Sequence, residues 1–235
     1  LPACYHHHQP DERKFEQYLY RAGSGPASLN LSRADICWSE PAACGRRINR
    51  EVNAMRICLD AGHSGPAEPG ACSNGLTEAA LNLTIALTLG RELAGGGHDI
   101  IYTRAGDIED DGLAWRADRA NSVQADLFLS IHCNAAVSSA AHGVEVYHYP
   151  ASAGGRKLAG CLQQALTAAA YTADRGVKEA DFAVLRLTEM PAALVEIGFL
   201  TSAEDRTVLA SAAGWERIAT ALAAGIAAYA AGGGV

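Results

Sequence analysis

His63, Glu78, His132 and Glu196 are the residues of this 235-residue chain whose types and placement best suit chemistry. His63 follows the short apolar run RICLDAG, and Glu78 opens an amphipathic stretch; His132 ends LFLSIH and Glu196 ends ALVE. Two histidines and one carboxylate are a suitable ligand set for a catalytic zinc ion, whose fourth position stays open for water. A further carboxylate can then serve as general base. Taken singly, each has a plainer explanation. His63 reads equally well as a loop histidine, Glu78 as a carboxylate favoured by a helix N-terminus, and His132 as a core residue with its hydrogen bonds met. Glu196 differs, because an ionised carboxylate directly after Ala-Leu-Val is costly to bury without a partner.

To act together, these groups must be carried to one place by the elements around them. Arg56–Asp60 alternates around Ile57 and Leu59, and Asp99–Thr103 reads as a second strand. Leu127–His132 is a near-continuous apolar strand of the kind buried on both faces. Gly143–Tyr149 (GVEVYHY) alternates strictly and predicts a strand with one polar face, as at a sheet edge. Ala183–Leu187 and Ala192–Ile197 are read as further short strands. Leu81, Ile85, Leu89 and Leu93 recur every four residues, so Thr77–Leu93 predicts a helix, stopped by Gly95-Gly96-Gly97. Further helices are predicted at Leu113–Gln124, 153–172, 203–210 and 214–230. This alternation predicts an α/β fold: a single three-layer domain with a mainly parallel, twisted sheet of about six strands flanked by helices. Side chains at the carboxyl ends of parallel strands converge on one crevice, which is where His63, His132 and Glu196 would meet, with Glu78 turning back to the same edge.

Composition narrows the function classes. With 49% hydrophobic residues the chain can build a packed core, and every apolar run is interrupted well short of the ~18 residues of a membrane span. A net charge of −7 argues against general nucleic-acid binding. Residues 1–54 carry seven Lys/Arg and six Asp/Glu, and 55–235 carry twelve and twenty, so the acidity belongs to the later part. The seven cysteines include no CxxC pair, which favours buried free thiols over a disulfide framework. Residues 1–54 show no sustained periodicity and no recognisable secretory signal, and His6-His7-His8 is read as incidental. Met55 is the first methionine, and a clean strand pattern follows it. We therefore read 1–54 as an irregular N-terminal extension, on one view an untranslated leader, and 55–235 as the functional domain.

The segments LDAGH, GLTEAALNL, YTRAGD, WRADRANSVQADLFLSIHCNA, GVEVYHY and VLRLTEMPAALVEIGFLTSAED occur in an order that resembles the zinc-dependent N-acetylmuramoyl-L-alanine amidases. That branch includes autolytic and sporulation amidases and phage endolysins. The likeness covers essentially 55–230. It implies one zinc ion held by His63, Glu78 and His132, with Glu196 as the catalytic glutamate. It also implies a substrate, the amide joining N-acetylmuramic acid to the L-alanine of the peptidoglycan stem peptide. The enzyme would act on the bacterial cell wall as a monomer, its partner being the glycan strand with its stem peptide; its export route is not encoded in any recognisable signal. Two departures touch no expected ligand: Cys133 stands where Ala is common, and Ser202 where Asn is frequent. Cys133 should point away from His132 across the strand, into packing.

Other polar residues are expected in lesser roles. Arg104 and Asp107 should hold a loop, and Arg116, Arg119 and Asn121 a structural network. His142 and His148 are expected at the surface, with a substrate contact as the alternative, and Arg186 is a candidate contact for stem-peptide carboxylates. Two rival functions stand beside the amidase. A zinc peptidase would cut within the stem peptide, although HExxH is lacking. A catalytically inactive wall-binding module would be expected to have lost a ligand or the general base.

Overall fold

The computed structural model describes residues 54–109 and 112–232. The extension read at 1–54, all but its last residue, lies outside the described residues, as do the His6–His8 run, Cys4, Cys37 and Cys44.

In chain order the first elements are β1 (Arg56–Ala61), the two-residue strands β2 (Cys72–Ser73) and β3 (Leu76–Thr77), and α1 (Glu78–Gly95). Next come β4 (Asp99–Tyr102), α2 (Gly112–Ser122), β5 (Leu127–Asn134), β6 (Val144–His148) and α3 (Ala153–Ala168). The remainder are β7 (Asp174–Glu179), α4 (Ala183–Arg186), β8 (Ala192–Phe199), α5 (Ala203–Leu209) and α6 (Ala212–Ala230). Six strands form one sheet in the order β4-β1-β5-β8-β6-β7. All neighbours are parallel except β6 and β8, which run antiparallel. β2 and β3 make a small separate hairpin.

Alternation along the strands sorts side chains onto two faces. Ile57 and Leu59 of β1, Leu129 and Ile131 of β5, and Val195 and Ile197 of β8 join the larger core with α1, α3 and α6. The opposite parity, with Cys58, Phe128 and Leu194, forms a smaller core under α2 and α4. Three layers result, as the pattern predicts. Leu81, Ile85, Leu89 and Leu93 of α1 are all buried, and Gly96 caps the helix. Asn82, off that stripe, is buried too and donates to Gly62 O (3.2 Å), tying α1 to the loop after β1.

Four elements depart from the sequence reading. Ala183–Leu187 is not a strand: Ala183–Arg186 is a one-turn helix packing Val184 and Leu185 into the smaller core. A short apolar run carries too few residues to separate the two periods. The sixth strand is instead β7, whose sequence DRGVKE has no apolar alternation because it is an exposed edge. β6 lies inside the sheet between β8 and β7 rather than at its edge, so its polar side chain Glu145 is buried. The helix predicted at 153–172 ends at Ala168.

Candidate metal and catalytic site

His63 stands two residues beyond the end of β1, in a left-handed conformation (φ 64°) that aims its ring across the sheet end. The turn is clamped from behind. Arg116 of α2 pairs with the buried Asp60 (2.7 Å) and donates to Ala61 O (2.9 Å) and His63 O (2.9 Å). Arg104 donates to Ala61 O (2.8 Å), Gly62 O (3.0 Å) and, across to α1, Ala79 O (2.7 Å). Gly62 is required by close approach, since a Cβ there would fall 2.2 Å from the His132 ring.

Glu78 is the first residue of α1, anchored by its N–H to Ala71 O (2.8 Å). Its carboxylate bridges the two histidines: Oε2 lies 3.0 Å from His63 Nε2, and Oε1 lies 2.9 Å from His132 Nδ1. Ala71 N–H (2.9 Å) and Cys133 N–H (3.2 Å) donate to the same carboxylate. One ligand atom each from His63, Glu78 and His132 therefore lies within 4.8 Å of the others. The other nitrogen of His63, Nδ1, sits 2.5 Å from Glu68 Oε1. A carboxylate in that position fixes the imidazole tautomer and presents Nε2 inward, as at many metal-binding histidines. Gly70 closes the cradle: at φ 67°, its Cβ would strike His63 and Glu78 at 2.5–2.6 Å.

Electrostatics follow from this geometry. Burial works against both charges, yet the bonds from His132 and His63 hold the Glu78 carboxyl far below the usual range. Likewise burial lowers His63, but Glu78 and Glu68 outweigh it and raise the imidazole to about 9. The cluster is a concentrated negative charge shared between imidazoles, a setting that a divalent cation can enter by displacing protons.

Glu196 projects from β8 beside His132 of β5, its direct partner in the parallel register. On its other side its partner in the antiparallel register is Glu145 of β6. Glu196 Oε2 is sealed from solvent and has no hydrogen-bond partner among the described residues. Burial pushes this carboxyl up to about 7; His132 pulls against the rise, and Glu78 and Glu145 add to it. A buried carboxyl oxygen with no protein donor, next to a two-histidine, one-carboxylate cluster, fits a site that holds a metal ion and a water.

The four residues predicted from sequence are thus brought to one end of the sheet, with Cys133 turned into the opposite core. The supporting residues behave as expected. Arg104 and Arg116 brace the loop, and Asp107 packs against Gly65 within it. Arg119 donates to Tyr102 O (2.7 Å), and Asn121 bonds Leu187 O (2.9 Å) and the N–H of Glu189 (3.0 Å). Ser202 caps α5 by accepting from Asp205 N–H (3.3 Å), a task Asn performs equally well, so that departure is conservative. Arg186 pairs with Asp181 in the β7–β8 connection. His142 is partly exposed, but His148, expected at the surface, is buried because β6 is internal and its even positions face α3. Cys58, Cys133 and Cys161 are buried as expected, whereas Cys72 is exposed on the small hairpin. Glu68, Gly62, Gly70 and Glu145 were not singled out from sequence. Only Glu145 had a visible signal, as the acid on the polar side of GVEVYHY.

Comparison with known proteins shows the family and the fold. The profile of the N-acetylmuramoyl-L-alanine amidase family matches residues 57–228. N-acetylmuramoyl-L-alanine amidase LytC of Bacillus subtilis (strain 168) is 38% identical over 208 residues, covering 86% of this chain and 41% of LytC. The chain thus spans well under half of that relative, while it matches 98% of the B. subtilis protein YqiI at 35% identity, covering 83% of this chain. Among solved structures, an N-acetylmuramoyl-L-alanine amidase from Clostridium difficile 630 superposes with a TM-score of 0.71 at 32% identity, covering 75% of this chain and 97% of that one.

Proposed function

The chain belongs to the N-acetylmuramoyl-L-alanine amidase family, a family of amide hydrolases, and on that footing we propose that it cleaves the amide between N-acetylmuramic acid and L-alanine in peptidoglycan. His63, Glu78 and His132 would hold one zinc ion, with Glu68 orienting His63. Bound zinc supplies Lewis acidity to a carbonyl oxygen and makes water a stronger acid. The chain's own catalytic group is Glu196. Its carboxylate takes a proton from the attacking water and passes it to the departing amine, so that the stem peptide leaves as a neutral amine. In the metal-free site burial raises this carboxyl above its ordinary value, a direction that favours its taking up the water's proton. Arg104 and Arg116 keep the His63 loop in register with Glu78, and burial of the inner Glu196 oxygen keeps bulk water from it.

The observation that carries the reading is the partnerless Glu196 Oε2 beside the His63–Glu78–His132 cluster. A purely wall-binding module has no use for such a group, which costs about 1–3 kcal/mol when left unsatisfied. The test is digestion of purified peptidoglycan by the zinc-loaded protein, with mass analysis of the products. A freed lactyl carboxyl and a new N-terminal alanine are expected. A cut within the stem peptide would establish a peptidase instead, and intact peptidoglycan would leave a binding module.

A further inference from the structure

We propose that Arg175 and Lys178, on the edge strand β7, form a carboxylate-binding shelf for the peptide on the amine side of the scissile bond. The inference rests on the amidase reading and adds a direction to it.

Along the strand order β5-β8-β6-β7, one sheet face carries His132, then Glu196, then Glu145, then the two cations. Glu145 is only 2% exposed, yet it is thoroughly compensated. It accepts from Asn134 Nδ2 (2.9 Å), Tyr147 OH (2.8 Å), Arg175 Nε (2.7 Å) and the Lys178 ammonium. Burial opposes its ionisation, but the cations prevail and hold its carboxyl below the usual range.

Two cations on one carboxylate leave a positive charge in excess. Their side chains are 35% and 37% exposed, so the pair is partly open to solvent. Arg175 is held before any ligand arrives. It donates to His142 O (3.3 Å), and its guanidinium lies 4.8 Å from the centre of the Phe199 ring. A guanidinium fixed in this way loses little freedom on binding an anion. The helix packed on β6 and β7, α3, covers the face that Val144 and Val146 share with the larger core. On the Glu145 side, Tyr147 and the 38% exposed Phe182 stand as a partly open apolar wall (ring centres 5.2 Å apart).

The spacing sets the ligand. Neighbouring strands lie about 4.8 Å apart, and both cationic ends reach back over β6 to Glu145, so the shelf lies about 5–10 Å beyond Glu196 on the side away from His132. An extended peptide advances about 3.3 Å per residue, which brings a carboxylate two or three residues from the scissile amide onto the shelf. Glu196 protonates the departing amine, so the chain that continues from that amine is the one lying on Glu196's outer flank. The acyl side, with its sugar, then lies toward His63 and the β1 loop.

The test uses zinc-loaded Glu196→Gln protein, whose turnover is lowered on the order of 10²–10⁴-fold. It is titrated calorimetrically with a muramyl-peptide bearing free carboxylates, and with the same compound after its carboxylates are converted to amides. The acid form should bind about tenfold more tightly, the worth of one charge-assisted hydrogen bond. In the same background Lys178→Gln and Arg175→Gln, each leaving one cation on Glu145, should remove most of that difference, and Lys178→Arg should keep it. In the active protein the same single substitutions should raise KM with kcat unchanged within about twofold. Equal binding of acid and amide by the parent, or unchanged discrimination in both Gln variants, overturns the shelf. The acid–amide comparison on the parent needs no substitution in β7 and so stands whatever those variants do to folding. Failure of the wild type to cut peptidoglycan would instead overturn the amidase reading.

Discussion

Asp60 and Glu196 are acids on the same face of the same sheet, and they have opposite surroundings. Asp60, 1% exposed, accepts from Thr103 (2.7 Å), Ser130 (2.6 Å) and Arg116 (2.7 Å), so its inward charge is fully matched. Burial raises its pKa, but Arg116 and the two hydroxyls lower it further, and it remains ionised. Glu196 has one oxygen with no protein donor, and burial prevails. One acid is a fastener, tying β1, β5, α2 and the residue that follows β4 together. The other is held in a state the fold alone does not favour, as the catalytic role proposed for it requires.

The largest effect should come from Glu196→Gln, which is expected to lower turnover on the order of 10²–10⁴-fold while zinc content, measured by atomic emission, is unchanged. A wild-type digestion rate would remove Glu196 from the mechanism. Asp60→Asn should do the reverse, costing about 3–5 kcal/mol in urea unfolding, because it leaves Arg116 buried beside a neutral group. A loss under 1 kcal/mol would show that the network is not the fastener described.

The two acids should also oppose one another in pH dependence after zinc is removed with EDTA. Asp60's folded pKa is depressed, so its stabilisation is complete above its ordinary value of 3.8 and is lost as pH falls below it. Glu196's folded pKa is raised from 4.5 to about 7, so its contribution is complete below 4.5 and is lost as pH rises toward 7. Thermal melts of the wild type and both variants should therefore diverge at opposite ends of the pH range; parallel curves would contradict the assignment.

Smaller effects sharpen the boundary between site and scaffold. Gly70→Ala, at φ 67° and against both His63 and Glu78, should weaken zinc affinity well beyond its stability cost of about 1–2 kcal/mol. Competition with a chelating dye measures the first and urea unfolding the second. Ser202→Ala removes the α5 cap and should cost about 1 kcal/mol with zinc affinity untouched.

Much of this was legible in the residues. The buried strands β1, β5 and β8 and the stripe of α1 carry strong apolar patterns, so the elements holding His63, His132, Glu196 and Glu78 could be placed before any coordinates. The rest lies where periodicity carries no information. DRGVKE is a strand because β6 pairs with it, not because of its own side chains, and AVLR turns as a helix because the smaller core needs only one turn there. Glu145 could be seen as polar but not as Glu196's neighbour, since that depends on the reversed direction of β6. Glu68, Gly62 and Gly70 serve through distances of a few ångströms set by loop conformation, which no spacing rule reports.

β7 has one more consequence, for the behaviour of the protein at high concentration. An outermost strand displays a row of unpaired backbone groups, a template on which a second sheet can grow. At the other margin β4 is only four residues long, which limits such growth. β7 is six residues long, and its protection lies in its composition: Arg175 and Lys178 charge it, and Gly176, at φ 79°, bends its backbone out of the regular extended path. The features that make this strand a poor sheet former on paper are those that resist edge-to-edge aggregation. Replacing them with β-branched residues would give a better strand and a less soluble protein.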